Sequence, residues 1–245
     1  MGLGLGNVLG RSKYYSSDTI TRAVLFDGTD DIVTVSDDNS LSFTADPGFG
    51  ISMWLNLDSS QSSGVINKDE EYNLHVDANG RITWLTVDDS EDKRKRFSTS
   101  TSVFDFDQWN HVYVELFDNG NGSGVTPRVF YNGSAASGSS TQDPGFVDLE
   151  NTSANLLIGK ATSGIGGAMG AANTFMKGKI ANLAFIQGGL TSTELADVYG
   201  AGRTGIFTEY ADNTLAAYYR FGDDFTDSSD NSNTGSASGT SFVDI

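Results

Sequence analysis

The stretch MKGKIANLAFIQGGLTSTELADVYGAG, residues 176–202, constrains the fold more than any other part of the chain. Residues 178–186 form an apolar, β-favouring run, with Ile180, Leu183, Phe185 and Ile186 among small residues. Gly188 and Gly189 end it, because glycine reaches turn conformations that side chains forbid. Thr191 then stands as an N-cap with Glu194 three residues on, the spacing of a reciprocal capping box. Leu190 before the cap is set to staple onto Leu195, and Gly200 is expected to supply the left-handed stop. A helix this short does not hold itself together in water. It must lie on a larger apolar surface, which the rest of the chain has to provide.

That surface reads as sheet. Residues 51–57, ISMWLNL, set Ile51, Met53, Leu55 and Leu57 against Ser52, Trp54 and Asn56, the period of two that a half-buried strand requires. Residues 71–77 and 81–87 flank an Ala78-Asn79-Gly80 turn and predict a hairpin. Residues 109–117 place Val112, Val114 and Leu116 opposite His111, Tyr113 and Glu115. Further strands are expected at 23–28, 31–35, 64–70, 127–133, 155–159, 215–221 and around Phe242. The sequence therefore predicts an all-β, two-sheet antiparallel sandwich with one short helix. An extended arm (residues 1–20) would precede a single domain over 21–245.

Composition narrows the functions open to such a chain. Fifteen basic residues against 32 acidic ones give a formal charge of -17. That disfavours nucleic acid, whose affinity comes from neutralising phosphates, and anionic membranes. The basic run Lys93 to Arg96 reads as a solvated hairpin tip. Cysteine is absent, so neither disulfides nor thiolate metal sites are available. No apolar run is long enough for a membrane helix. The start, MGLGLGNVLG, has neither a basic n-region nor a continuous apolar segment, so no secretion signal is expected.

The order of motifs resembles the laminin-G-like, concanavalin A-like jelly-roll family. The matching pieces are VLFDGTDDIVTV, FGISMWLNL, GVINKDEEYNLHVDANGRITWL, FDQWNHVYVEL, RVFYNG, LLIG, GKIANLAFIQGGLTSTELADVYGAG and LAAYYRF…DSSDNSNTG, spanning residues 23 to 242. The resemblance implies two curved sheets of six or seven strands packed face to face, with the helix capping one end. Trp54 and Trp109 then read as packing residues. The fold alone does not select a function, since it hosts lectins, adhesion modules and glycanases.

Catalysis on this fold needs two carboxylates at alternating positions of one strand. The family's E-x-D-x-E arrangement is missing. The nearest pairs, Asp105/Asp107, Asp89/Glu91 and Glu70/Glu71, fall in turns or on opposite faces. His75 and His111 are the only histidines, with no nucleophile elbow in the chain, and read as surface or groove residues. No enzyme activity is expected. Calcium is the one candidate cofactor, because hard cations take carboxylate and carbonyl oxygens. Asp27, Asp30 and Asp31 cluster in the first turn, and Asp227, Asp230 and Asn231 in the last loop. In relatives, two such loops contribute to one site. Ala181 and Asn182 stand where those relatives carry acids, which weakens the match. For sugar binding, Tyr113, Trp84 and Phe97 are the aromatic candidates, with Trp84 assigned to the core. The sequons at Asn121, Asn132 and Asn151 are expected to carry no glycan.

The arm supplies the remaining clue. Leu3, Leu5, Val8 and Leu9 are spaced by glycines and followed by Arg11 and Lys13, so this segment is apolar and basic beside an acidic body. It is suited to docking on neighbouring subunits of a capsid or tail, in a homo-oligomer or larger assembly. Together with the missing signal, this resembles decoration or tail-appendage proteins of bacteriophage virions. The leading expectation is a non-enzymatic structural or adhesion module on a virion surface. The alternative is an extracellular or surface module that binds a glycan, with or without calcium.

Overall fold

A computed structural model describes residues 19–58, 61–88, 93–118, 125–146, 148–162, 174–211 and 214–245. The expected arm lies almost wholly outside these residues. In chain order the strands begin with β1 (Arg22–Asp27), β2 (Ile32–Val35), β3 (Gly48–Leu57), β4 (Ser63–Lys68) and β5 (Tyr72–Val76). They continue with β6 (Ile82–Val87), β7 (Arg94–Thr99), β8 (Asn110–Asp118), β9 (Val125–Tyr131) and β10 (Ser134–Ala135). Next come β11 (Gly138–Gln142), β12 (Leu156–Ile158) and β13 (Lys177–Gln187), then the helix α1 (Ser192–Ala201). The last strands are β14 (Leu215–Tyr219), β15 (Gly235–Ser238) and β16 (Ser241–Asp244).

Two antiparallel eight-stranded sheets result, each a little wider than expected. The first runs β10-β9-β8-β3-β13-β1-β16, with β14 also paired to β13. The second runs β11-β7-β6-β5-β4-β12-β2-β15. Strand β13 is the spine of the first sheet: β3 takes one edge, while β1 and then β14 share the other. The β5–β6 hairpin forms as predicted, with Leu74 opposite Trp84. Alternation sends Leu55, Leu74, Trp84, Val112, Val114 and Phe185 between the sheets. There the indole of Trp84 donates to the carbonyl of Glu115 at 3.2 Å, which joins the layers by a satisfied polar contact.

The capping box forms as the sequence requires. Thr191 Oγ1 accepts from the Glu194 amide at 3.2 Å, and Glu194 Oε2 accepts from the Thr191 amide at 2.8 Å. The stop is Gly202 at φ +74°, with α1 running through Gly200. The helix also lies elsewhere than expected. It packs on the outer face of the first sheet, where Leu195 and Val198 meet Tyr113, Ala184, Ile186 and Tyr218. Those four are the residues of opposite parity to the core positions, so the sheet's second face is apolar enough to bury a helix.

A bulge in β13 between Ala181 and Ala184 puts Asn182 at φ +55°. Its amide donates to the Gly205 carbonyl at 2.7 Å, and its oxygen accepts from Tyr218 Oη at 2.9 Å. Asn182 therefore ties the chain after α1 to the sheet. Asparagine suits a left-handed position that also needs a donor and an acceptor.

Candidate functional site

The outer face of the second sheet departs from an ordinary solvated surface. Strands β5, β6 and β7 turn Asn73, His75, Thr83, Leu85, Arg96 and Ser98 away from the core. The register aligns His75 with Thr83, Thr83 with Ser98, and Ser98 with Ser139. A second row runs from Asn67 through Asn73, Leu85 and Arg96 to Thr141. Directly opposed side chains in such rows stand about 5 Å apart, so each row is a continuous line of hydrogen-bonding groups broken only by Leu85.

The rows are recessed at their β5 and β6 end and open at β11. Asn73 is 0% exposed and His75 3%, although both point away from the core. A cleft of about 230 Å³ opens between His75, Asp77, Arg81, Thr83, Arg96 and Ser98. A second lobe of about 170 Å³ shares Arg96 and Thr141 with it and reaches Arg94 and Asp143. On the same sheet face, outside the lining of either lobe, Asn73 Nδ2 donates to Asn67 Oδ1 at 2.6 Å. Asn73 Oδ1 and His75 Nε2 are buried without a hydrogen-bond partner. Leaving such a group unsatisfied costs about 1–3 kcal/mol, so His75 on the cleft lining favours a ligand or water that bonds to it. Burial pushes the His75 imidazole down to about 4, with Asp77 opposing the shift. It is neutral at pH 7, and either ring nitrogen can then face a hydroxyl.

The charged groups of the cleft are unevenly engaged. Asp77 Oδ1 accepts from the amides of Asn79 and Arg81 at 2.8 and 3.0 Å. Asp143 Oδ2 accepts from the Arg94 amide at 3.0 Å. No ion pair among the described residues involves Arg81, Arg94 or Arg96.

The sequence reading of Lys93 to Arg96 as a hairpin tip is corrected here. Arg94–Thr99 is strand β7, and the basic residues alternate. Lys95 turns inward, where its ammonium donates to the Val125 carbonyl at 2.7 Å and sits 4.5 Å from the Phe146 ring. Arg94 and Arg96 turn outward into the cleft. The spacing Arg94-x-Arg96-x-Ser98 was the available signal, but a run of charges hides it.

His111 is corrected as well. It is 0% exposed on the outer face of the first sheet, where Tyr199 of α1 lies 5.9 Å from its ring. Its Nε2 lies 2.9 Å from Ser52 Oγ, its Nδ1 has no partner, and burial drives its pKa down to about 3. Of the aromatic candidates, Trp84 fills the core as expected, and Tyr113 is buried beneath the helix. Phe97 packs against the core. None of the three is a platform for a sugar.

The two acidic loops lie apart. Asp27 pairs with Lys177 of β13, whereas Asp227 bridges to Tyr219, which pairs with Leu183. Six residues along one strand separate them by roughly 20 Å. Asp227 is also fully committed. Its carboxylate accepts from the amides of Tyr218, Ser229 and Asn233, each at 2.8 Å, and from Ser229 Oγ at 2.7 Å. Asn231 Nδ2 donates to the carbonyls of Leu215 and Ala216, and Asp230 is exposed beside it. These residues organise the last loop.

In the first turn, one oxygen from each of Asp27, Asp30 and Asp31 falls within 4.8 Å of the others. Asp31 Oδ2 accepts from the Asp27 amide at 2.8 Å. Its pKa is raised by burial first and then by the charges of Asp27 and Asp30, against the pull of that hydrogen bond.

The carboxylate pairs weighed for catalysis are dispersed. Asp105 and Asp107 precede β8, and Asp105 Oδ2 accepts from Tyr131 Oη at 3.1 Å. Glu71 is buried with Lys68, while Asp89 and Glu91 lie outside the described residues. No described strand of the cleft face carries two carboxylates at alternating positions.

Residues 27–196 match the family described as the concanavalin A-like lectin/glucanases superfamily, Laminin_G_3. None of the curated proteins compared with the chain matches it. Among solved structures, a protein from Bacteroides ovatus proposed to bind carbohydrate superposes with a TM-score of 0.62 at 13% identity. That likeness covers 93% of this chain and 60% of the other, so the chain spans less than two thirds of its neighbour's length. The heptameric pentraxin of Limulus polyphemus gives a TM-score of 0.50 at 14% identity over 92% of both chains. A sialidase CBM40 module of Ruminococcus gnavus, solved with α2,3-sialyllactose, gives 0.51 at 13% identity, over 72% of this chain and 96% of the module. At these identities the likeness is one of fold.

Proposed function

The chain belongs to the concanavalin A-like lectin/glucanases superfamily, and from that premise we propose that it is a non-catalytic carbohydrate-binding module. Its saccharide site is the cleft on the outer face of the second sheet. The observation that carries this reading is His75, whose Nε2 is buried and unpartnered on the cleft lining and aligned with the hydroxyl row of Thr83, Ser98 and Ser139. A sugar ring offers hydroxyls at the spacing of such rows, each able to donate and accept. The Bacteroides and Ruminococcus neighbours support the reading as proteins described as carbohydrate-binding. The dispersal of the carboxylate pairs supports a binding rather than a cleaving role.

The test is a glycan array followed by calorimetry on the best ligand. Binding should be lost in a His75→Ala, Ser98→Ala double variant that keeps the parent's circular dichroism and thermal transition. Undiminished binding in that variant would remove the cleft from the account.

Calcium belongs to this proposal at a separate place. The clustered carboxylates of Asp27, Asp30 and Asp31 fit a hard cation, because an ion would offset the burial, and then the mutual repulsion, that raise the Asp31 pKa. An ion there would brace the turn joining the two sheets rather than touch the cleft. Millimolar calcium should raise the Tm of the parent and leave Asp31→Asn unmoved; an unchanged parent Tm would dismiss the ion.

A second reading, presentation of this module on a virion surface, is carried by the apolar and basic sequence of residues 1–20. It predicts that a chain truncated before Thr19 no longer incorporates into particles. Equal incorporation would refute it.

A further inference from the structure

We infer that the cleft selects an acidic saccharide, seating its carboxylate or sulfate against the guanidinium groups of Arg81 and Arg96. This rests on the reading of the cleft as a saccharide site and adds the class of ligand. The first observation is where the charge is spent. In a chain of formal charge -17, three arginines line two adjoining lobes that share Arg96 and Thr141, and among the described residues none of the three takes part in an ion pair. Elsewhere Arg22 pairs with Asp223 and Asp244 and Arg128 with Glu115, while Arg203 lies over the Trp109 ring.

The carboxylates within the cleft do not neutralise these arginines. Asp77 and Asp143 direct oxygens to backbone amides at the two ends, which leaves, among the described residues, three guanidinium groups facing two engaged carboxylates. His75 adds no charge at neutral pH.

The second observation is geometric. Arg96 lines both lobes, with Arg81 beside it in one and Arg94 in the other. The Arg94 Nε is buried without a partner. Guanidinium is planar and offers paired N–H donors that match the two oxygens of a carboxylate or sulfate. The hydroxyl row of Thr83, Ser98 and Ser139 beside it suits the rest of a pyranose ring. The protein's net charge opposes anions at long range, but screening confines that field to about 8 Å at physiological ionic strength. Contacts inside the cleft then decide selectivity. The same net charge disfavours a long polyanion lying across the whole surface, so the ligand is a short acidic saccharide or a chain end.

The test compares ligands that differ only in charge. A galacturonate trisaccharide and its fully methyl-esterified counterpart form one arm, and a sulfated galactan tetrasaccharide with its desulfated counterpart the other. Calorimetry should show at least one acidic member binding tenfold or more tightly than its neutral partner, and the arm that responds identifies carboxylate or sulfate. Arg96→Gln and Arg81→Gln should each weaken the acidic ligand by on the order of ten- to hundredfold, a larger loss than either causes for the neutral partner. Amide spectra that overlay the parent's outside the cleft would establish that the variants fold. Equal binding of acidic and neutral partners would overturn the charge selection while keeping the saccharide site. Acidic binding indifferent to both arginines would overturn the seat. Failure of every member of a broad glycan array would overturn the underlying reading as well.

Discussion

Acid should destabilise this protein through its two histidines before the bulk of its carboxylates titrate. His111 is sealed under α1, and burial holds its pKa near 3 instead of 6.5. The depressed value means the unfolded chain binds the proton first as pH falls. Stability is full above about pH 6.5 and is lost progressively down to about pH 3. The linkage relation gives a loss of about 2 kcal/mol between pH 7 and pH 5 for this one side chain. His75, lowered to about 4, adds a similar loss of about 2 kcal/mol over the same interval. The two sit on different sheets without shared partners, so the terms should add. The assay is urea unfolding at pH 7, 6 and 5 of the parent, His111→Gln, His75→Gln and the double variant. Each single variant should flatten the profile by about half and the double variant by about 4 kcal/mol in total. Parallel profiles for parent and double variant would refute the claim that both rings are neutral in the folded state.

Two further outcomes follow from the spine strand and its helix. Thr191→Ala removes the Oγ1 that accepts from the Glu194 amide, while the bond from the residue-191 amide to Glu194 Oε2 remains, and should cost about 1 kcal/mol, read as a fall in Tm of roughly 2–4 °C. Gly178 sits at φ +141°, and a Cβ there would fall 2.2 Å from the Asn56 carbonyl oxygen. Gly178→Ala should therefore cost on the order of 3 kcal/mol or more in urea unfolding, by pushing β13 from β3.

What could be read from the sequence was what neighbours in sequence decide. Thr191, Glu194, Leu190 and Leu195 interact across a single turn, so their spacing alone specified the cap. The stop shifted from Gly200 to Gly202 because an exposed glycine inside a helix costs only about 1 kcal/mol, and the buried Leu195 and Val198 anchor the helix. Alternation in residues 51–57 and 81–87 identified the strands. It did not tell which strands become neighbours, and the cleft depends on that.

Ser98 meets Ser139 only because β7 pairs with β11 across β8, β9 and β10. Likewise, Asp27 and Asp227 looked equivalent as acidic loops, but the shared edge of β13 sets them at different positions along it. His111 looked like a groove residue because nothing local reveals that α1 covers its face. Ala181 and Asn182 read as missing metal ligands, yet Asn182 has a mechanical role at the bulge and Ala181 packs with Trp54.

The most direct test of the account is the footprint of a bound saccharide on the protein, mapped by amide chemical-shift perturbation with the best ligand from a glycan array. The account predicts that the largest shifts fall on β5, β6, β7 and β11, centred on His75, Thr83, Arg96 and Ser98. A footprint on the helix-covered face around Trp54, Trp109 and Tyr199, with the cleft resonances unmoved, would contradict it.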